Sequence, residues 1–110
     1  YNYRSKFMAY WVLATYTRPS TDTAWFSPSA DIITKIDEYK DSGKIIHYEV
    51  KESSGQLEQY IKIGFSDQAE SLNFLAEDVV QDNESARQSY IDSNPTTVIL
   101  EDKEETEPTI

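Results

Sequence analysis

The stretch Phe7 to Thr17, Phe-Met-Ala-Tyr-Trp-Val-Leu-Ala-Thr-Tyr-Thr, constrains the fold more than any other part of this chain. It reads as a strand, and successive side chains of a strand point to opposite faces. Odd positions bring Phe7, Ala9, Trp11 and Leu13 to one face. Even positions bring Met8, Tyr10, Val12, Ala14 and Tyr16 to the other. Both faces are apolar, so this strand requires cover on both sides. A chain of 110 residues forms one domain and buries roughly two-thirds of its unfolded surface. The sequence therefore predicts that a partner, first of all a second copy, supplies part of that cover.

The remaining elements follow in order. Arg18 to Phe26 is rich in turn formers and lacks periodicity, which predicts a loop. Ser27-Pro28 reads as an N-cap with proline at the first helical position. Ile32, Ile36 and Tyr39 recur at helical spacing and Gly43 supplies the stop, so helix one is expected from about Pro28 to Ser42. Lys44 to Glu52 and Leu57 to Phe65 alternate apolar with polar residues around Ser53-Ser54-Gly55-Gln56, the pattern of a hairpin. Pairing Glu52 with Leu57 sets Tyr48 opposite Ile61, Ile46 opposite Ile63, Lys51 opposite Glu58 and His47 opposite Lys62. A slip of one residue would set apolar against polar throughout. Ser66 is expected to cap a second helix with Leu72, Leu75, Ala76, Val79 and Val80 as its stripe. Its pattern weakens at Gln81-Asp82-Asn83, where a kink is expected, and it ends before Asn94-Pro95. Thr96 to Leu100 reads as a last short strand. The acidic residues from Glu101 to Ile110 read as a tail, disordered past about Glu104.

This order predicts an α+β domain over residues 1–100, of the ferredoxin-like βαββαβ type. Its four-stranded antiparallel sheet carries two helices on one face, the second of them kinked. The chain resembles the dimeric α+β-barrel proteins of the antibiotic-biosynthesis-monooxygenase type. The resemblance spans about Phe7 to Leu100 and rests on element order. It rests also on Phe65-Ser66-Asp67-Gln68-Ala69-Glu70, where the third strand feeds straight into a helix, and on the broken helix around Asp78-Val79-Val80-Gln81. It implies two subunits packed sheet on sheet, which would cover the second face of the first strand. Met8, Tyr10, Val12, Tyr16, His47 and Tyr60 are the interface residues expected on that open face.

Charge and composition narrow the function. Residues 1–30 carry Arg4, Lys6 and Arg18 against Asp22, a net of +2, whereas the chain from Asp67 onward sets twelve acids against Arg87 and Lys103, a net of −10. Such a surface repels nucleic acid and anionic membranes, so direct binding of either is not expected. There is no cysteine, hence no disulfide and no thiol nucleophile. No signal-peptide pattern opens the sequence and no run approaches the ~18 apolar residues of a membrane span, so the cytoplasm, or the interior of a virion, is the expected location. Asn83-Glu84-Ser85 matches a glycosylation acceptor only as a short pattern of the kind that arises by chance.

His47 is the only histidine, so an imidazole base or metal ligand must be His47. With Glu49 it supplies two ligands on one strand and no third, and neither metal nor cofactor is expected. Trp25 and Phe26, set in a polar loop, either anchor a partner or fold back to seal the core, and folding back is the favoured expectation. The leading expectation is a non-catalytic interaction or assembly subunit, self-associating through the open sheet face, such as a viral or phage accessory protein. A small monooxygenase-like enzyme or ligand-binding protein is the alternative, with a pocket near Trp11, His47 and Tyr60 and with His47 and Tyr60 as its catalytic pair. A further alternative is an acidic inhibitor imitating nucleic acid through Asp67, Glu70, Glu77, Asp78, Asp82 and Glu84.

Overall fold

A computed structural model describes residues 9–94, 97–103 and 107–110, with the backbone alone for 97–103. Phe7, Met8 and Pro95 lie outside the described residues. In chain order the elements are β1 (Tyr10–Thr17), α1 (Ala30–Asp41), β2 (Ile45–Glu52), β3 (Glu58–Phe65), α2 (Gln68–Ala76), α3 (Asp78–Ser93) and β4 (Thr97–Lys103). The strands pair antiparallel in the order β2-β3-β1-β4, so β1 lies between β3 and β4.

Each helix begins two or one residues later than the sequence suggested, and a side-chain cap explains each start. Ser29, not Ser27, caps α1: its Oγ accepts from the Ile32 amide at 3.3 Å. Asp67, not Ser66, caps α2 by accepting from the Glu70 amide at 2.9 Å. A carboxylate at that position also complements the helix dipole. The expected stop of helix one at Gly43 is present, with φ at 77°. Gly43 N–H donates to Lys40 O and Lys44 N–H to Tyr39 O, the two bonds of a Schellman cap that requires a left-handed residue between them.

The second helix is divided, but at Glu77 rather than at Gln81-Asp82-Asn83. Glu77 is extended, with ψ at 136°, and Asn83 sits inside the regular turns of α3. The Glu77 carboxylate is drawn to α1, where Tyr39 Oη donates to it at 3.0 Å and Lys35 Nζ lies 3.7 Å away. This cross-helix attachment orients α2 and α3 over one face of the sheet.

That face is the opposite of the one expected for β1. Tyr10, Val12, Ala14 and Tyr16 pair with Phe65, Ile63, Ile61 and Gln59. Tyr10 and Val12 pack against the core built by Ile32, Ile36, Tyr39, Ile45, Phe65, Phe74 and Val80. The expected interface residues Tyr10, Val12 and Tyr16 therefore face the helices, while Trp11 and Leu13 occupy the other face. Both sets are apolar, and only the pairing with β3 decides between them.

The hairpin also departs from the expected register. Val50 pairs with Ile61, Tyr48 with Ile63 and Glu49 with Lys62. The turn closes one position later on each strand, where Ser53 N–H donates to Glu58 O at 2.9 Å. Partners shift by two residues, which preserves the faces and so escapes detection by alternation alone. A bulge between Ile45 and His47 completes the change: Ile45 enters the core at 2% exposure and Ile46, expected opposite Ile63, is 53% exposed.

β4 runs three residues past the expected end at Leu100, with Glu101, Asp102 and Lys103 paired to Leu13, Val12 and Trp11. Backbone pairing with a central strand holds these residues, and their charge conceals the strand in the sequence.

Two measurements test this packing. Trp11 lies flat across Gly64, where an added Cβ would sit 2.5 Å from the indole, whereas one at Gly55 would meet open space. Gly64→Ala is expected to destabilise by about 1–3 kcal/mol through overpacking, with Gly55→Ala within about 0.5 kcal/mol of the parent, both read from urea unfolding. Burial, followed by the bond to Glu77, pushes the Tyr39 phenol up to about 12 from 10.0. The fold favours the neutral phenol, so its contribution is full below the unfolded value and is lost as pH rises toward the folded one. Tyr39→Phe should accordingly flatten the loss of stability between these values, and an unchanged slope would assign that loss to another group.

Candidate functional site

Between the sheet and the helices lies a cavity of about 300 Å³. Its floor is the helix-facing side of β1, β2 and β3, from Tyr10, Val12, Ala14 and Tyr16 across to Ile61, Ile63 and Tyr48. Its roof comes from Ile32 and Ile36 of α1, Leu72 and Leu75 of α2, and Val80 and Asn83 of α3. The floor is hollow at Ala14, the smallest side chain on this face of β1, set opposite Ile61. The cavity reaches the surface beside Leu72, Leu75 and Val50, which are 59%, 46% and 48% exposed and form an apolar rim.

Polar groups gather at one end. Asn83 is 6% exposed, and its Oδ1 has no hydrogen-bond partner among the described residues. One turn further along α3, Arg87 joins the cavity wall, since residues four apart share a helix face. Its guanidinium stacks 5.0 Å from the Tyr16 ring and 5.2 Å from the Phe26 ring and pairs with Glu84 at 3.0 Å. Burial raises the Tyr16 phenol despite the opposing pull of Arg87, and burial raises Tyr48 against the same pull. Both phenols thus stay protonated at neutral pH, as donors beside a cation already matched by a carboxylate. The arrangement joins an apolar chamber to a short polar end, which suits binding and orienting a small molecule.

The residues singled out in the sequence lie elsewhere or serve differently. His47 is on the opposite face of the sheet, where its Nε2 lies 3.0 Å from Glu49 Oε1 and its ring 5.8 Å from Trp11. Tyr60 shares that face but pairs with Thr15 and Lys51, four residues along β3 from the Gly64 partner of His47. Their separation is about 13 Å of strand. Trp11 and His47 come together there; Tyr60 does not join them, and the large cavity is on the other side of the sheet. Trp25 and Phe26 turn inward. The Arg18 guanidinium covers Trp25 at 4.3 Å, and Phe26 packs on Tyr90 at 5.8 Å and closes one end of the cavity. A second hollow beside Trp25, Tyr90 and Ile91 measures only about 10 Å³. No group of three or more His, Asp or Glu side chains placed to hold a metal occurs among the described residues, and none of their helices is long and apolar enough to cross a membrane.

Solved structures carry the same arrangement. A conserved protein from Methanosarcina mazei Go1 superposes with a TM-score of 0.58 at 9% identity, covering 94% of this chain and 99% of its own. Proteins assigned as antibiotic biosynthesis monooxygenases from Deinococcus radiodurans and Caulobacter crescentus CB15 superpose with TM-scores of 0.57 and 0.59 at 15% and 8% identity. The first comparison covers 92% of this chain and 96% of the other, the second 92% and 93%. The chain shares the fold of the antibiotic-biosynthesis-monooxygenase-like proteins. No family model matches the sequence, and no curated protein matches it. At these identities the monooxygenase-like likeness establishes ferredoxin-like α+β architecture and transfers no activity.

The cavity residues had a sequence signal that alternation and motif searches pass over. Val79, Val80 and Asn83 are spaced as one helical stripe, so Asn83 is a polar residue at an apolar position. The same residue opens the glycosylation-like triplet, and its burial within α3 removes it from any such role.

The face of the sheet that carries Trp11 holds a second polar cluster. Lys62 is only 5% exposed, lies 5.4 Å from the Trp11 ring centroid and pairs with Glu107. Pro108 beside Glu107 is buried. The Lys62 ammonium holds the Glu107 carboxyl below its usual range, chiefly by hydrogen bonding, with charge from Lys62 and His47 adding to this against some desolvation. The stabilisation is present above the ordinary carboxylate value and is lost as pH falls through the lowered one. Lys62 is buried and Glu107 is exposed, so removing Glu107 leaves the buried ammonium without its counter-charge, whereas replacing Lys62 as well relieves it. Glu107→Gln should therefore lower the urea midpoint, and Lys62→Met combined with it should restore the midpoint. Equal midpoints for the parent and Glu107→Gln would exclude this pair from the fold's support.

Proposed function

We propose that this chain is a small-molecule-binding protein whose ligand occupies the cavity between sheet and helices. The observation that carries this reading is an apolar chamber of about 300 Å³ whose wall also holds the Arg87 guanidinium and the Tyr16 and Tyr48 phenols. The volume is at the lower end of the ~300–1,000 Å³ that small-molecule sites occupy. The chamber opens to the surface, so an apolar guest that enters it removes apolar wall from water, and that burial is the driving force for binding.

The observations that favoured an assembly subunit are weaker. Trp11 and Leu13 are each 7% exposed within a single chain, and Tyr10, Val12 and Tyr16 line the cavity. The likeness to proteins assigned as monooxygenases is compatible with a reaction inside this chamber, but it is a likeness of fold. The Tyr16, Tyr48 and Arg87 side chains support orientation of a guest, and binding is the part of the reading that they carry.

Naphthalene, a rigid apolar probe, tests occupancy of the chamber. Saturable binding, followed by the probe's fluorescence, is expected for the unmodified protein. Ala14→Phe, which fills the hollow of the floor, should weaken binding at least tenfold while leaving the far-UV circular dichroism unchanged. Absence of saturable binding, or undiminished binding by the folded Ala14→Phe protein, would overturn the cavity as a ligand site.

A further inference from the structure

We propose that the sheet face opposite the cavity is a docking site for an acidic peptide carrying glutamate followed by proline, and that residues 107–110 fill this site from within the chain. The proposal does not depend on the cavity being a ligand site.

The receptor is built on three adjacent strands. Lys62 of β3 lies 5.4 Å from the ring of Trp11 on β1, and that indole rests on the bare backbone of Gly64. His47 of β2 borders the same ring at 5.8 Å. Strand register sets all of these positions. What the sheet does not supply is an anion. Lys62 is 5% exposed, and a buried ammonium requires a counter-charge. Glu49 stands opposite Lys62 in the β2–β3 register, yet its carboxylate lies 3.0 Å from His47 Nε2. Among the described residues the carboxylate that pairs with Lys62 is Glu107.

Glu107 belongs to no helix or strand, and its side chain is 55% exposed against 6% for that of Lys62. An enclosed cation on a paired strand meets a half-wet carboxylate on an irregular segment, which is the division between a receptor and its ligand. A hydrogen bond from Lys62, then the charge of Lys62 and His47, hold the Glu107 carboxyl below its usual range. Pro108 is buried, so the contact extends beyond the charge. Its fixed φ reduces the entropy lost when an extended segment settles on an aromatic-lined surface.

The internal segment is also a competitor. Lys103, four positions before Glu107, pairs with Trp11, so the segment is tethered at the edge of the site. A short tether gives an effective concentration in the roughly millimolar range, which a free peptide has to exceed. The net charge of −10 repels an acidic peptide at long range, but screening over about 8 Å at physiological salt leaves the decision to Lys62 and His47.

The probe is the peptide Thr-Glu-Pro-Thr-Ile, the sequence of residues 106–110, labelled with a fluorophore at its amino end and followed by anisotropy. Glu107→Gln is expected to bind it at least tenfold tighter than the unmodified protein, because the internal segment has lost the charge that seats it. A peptide with glutamine in place of glutamate should bind Glu107→Gln at least tenfold more weakly. Adding Lys62→Met to Glu107→Gln should cause the same loss. Saturating peptide should raise the urea midpoint of Glu107→Gln toward that of the parent and leave the double variant unmoved. Absence of saturable binding by folded Glu107→Gln would overturn the proposal and leave Lys62–Glu107 an internal ion pair. Binding undiminished by Lys62→Met, or equal for Glu107→Gln and the unmodified protein, would overturn it as well. Should Glu107→Gln not fold, Pro108→Gly decides: it keeps both charges and loosens the seated segment, and binding no tighter than that of the unmodified protein would sink the proposal.

Discussion

The central position of β1 governs this structure. A central strand of an antiparallel sheet can leave one face in water, but β1 is apolar on both, so each of its two sets must find cover. The odd set does so closely: Trp11 spreads over the bare backbone of Gly64, its ring bordered by His47 and Lys62, and Lys62 in turn takes Glu107 as its counter-charge. The even set is covered by helices but less tightly. Val12 and Ala14, under α1 and α3, remain partly accessible while Trp11 and Leu13 on the other side are buried. The helix-covered side is the looser one because it encloses the cavity.

This inversion explains what could and could not be read from the residues. Strand and helix order, the Gly43 stop and the hairpin followed from local patterns, because turn chemistry and alternation act over a few positions. The choice of face for β1 did not follow, since Phe7–Thr17 is apolar on both parities and the deciding information is its register against β3. The hairpin register failed for a related reason. A bulge at Ile46 and a turn closed by Ser53 and Glu58 shift partners by two, and a two-residue shift leaves every side chain on its own face. The break in the second helix was expected at a polar run, yet it falls at Glu77, whose partners Tyr39 and Lys35 belong to another helix. The face of β1 and the break at Glu77 depend on contacts between segments distant in sequence. The caps and the hairpin closure turn instead on a choice between neighbouring residues.

The candidate site was less legible than the fold. Attention to His47 and Tyr60 followed from side-chain chemistry, and both lie on the sheet face that the chain's own Glu107 approaches. The groups that form the cavity's polar end are ordinary in isolation: one asparagine, one arginine and two of eight tyrosines. Their meaning comes from convergence on an apolar chamber, which only the placement of α3 opposite β1 and β2 creates. The one local sign was an asparagine in a stripe of valines.

That sign carries weight because selection for stability alone would remove it. A hydrophobic residue at position 83 would extend the stripe begun by Val79 and Val80, satisfy the wall and eliminate an orphaned acceptor. A larger residue than Ala14 would fill part of the floor and recover packing lost to the hollow. Ala14 and Asn83 are thus two stability-lowering choices among the residues that line one chamber, and Ala14 is the one that supplies its space. The opposite face of the sheet shows the contrast: there a buried lysine is matched by Glu107 and a glycine is filled by an indole, so its polar groups and its free space are already used.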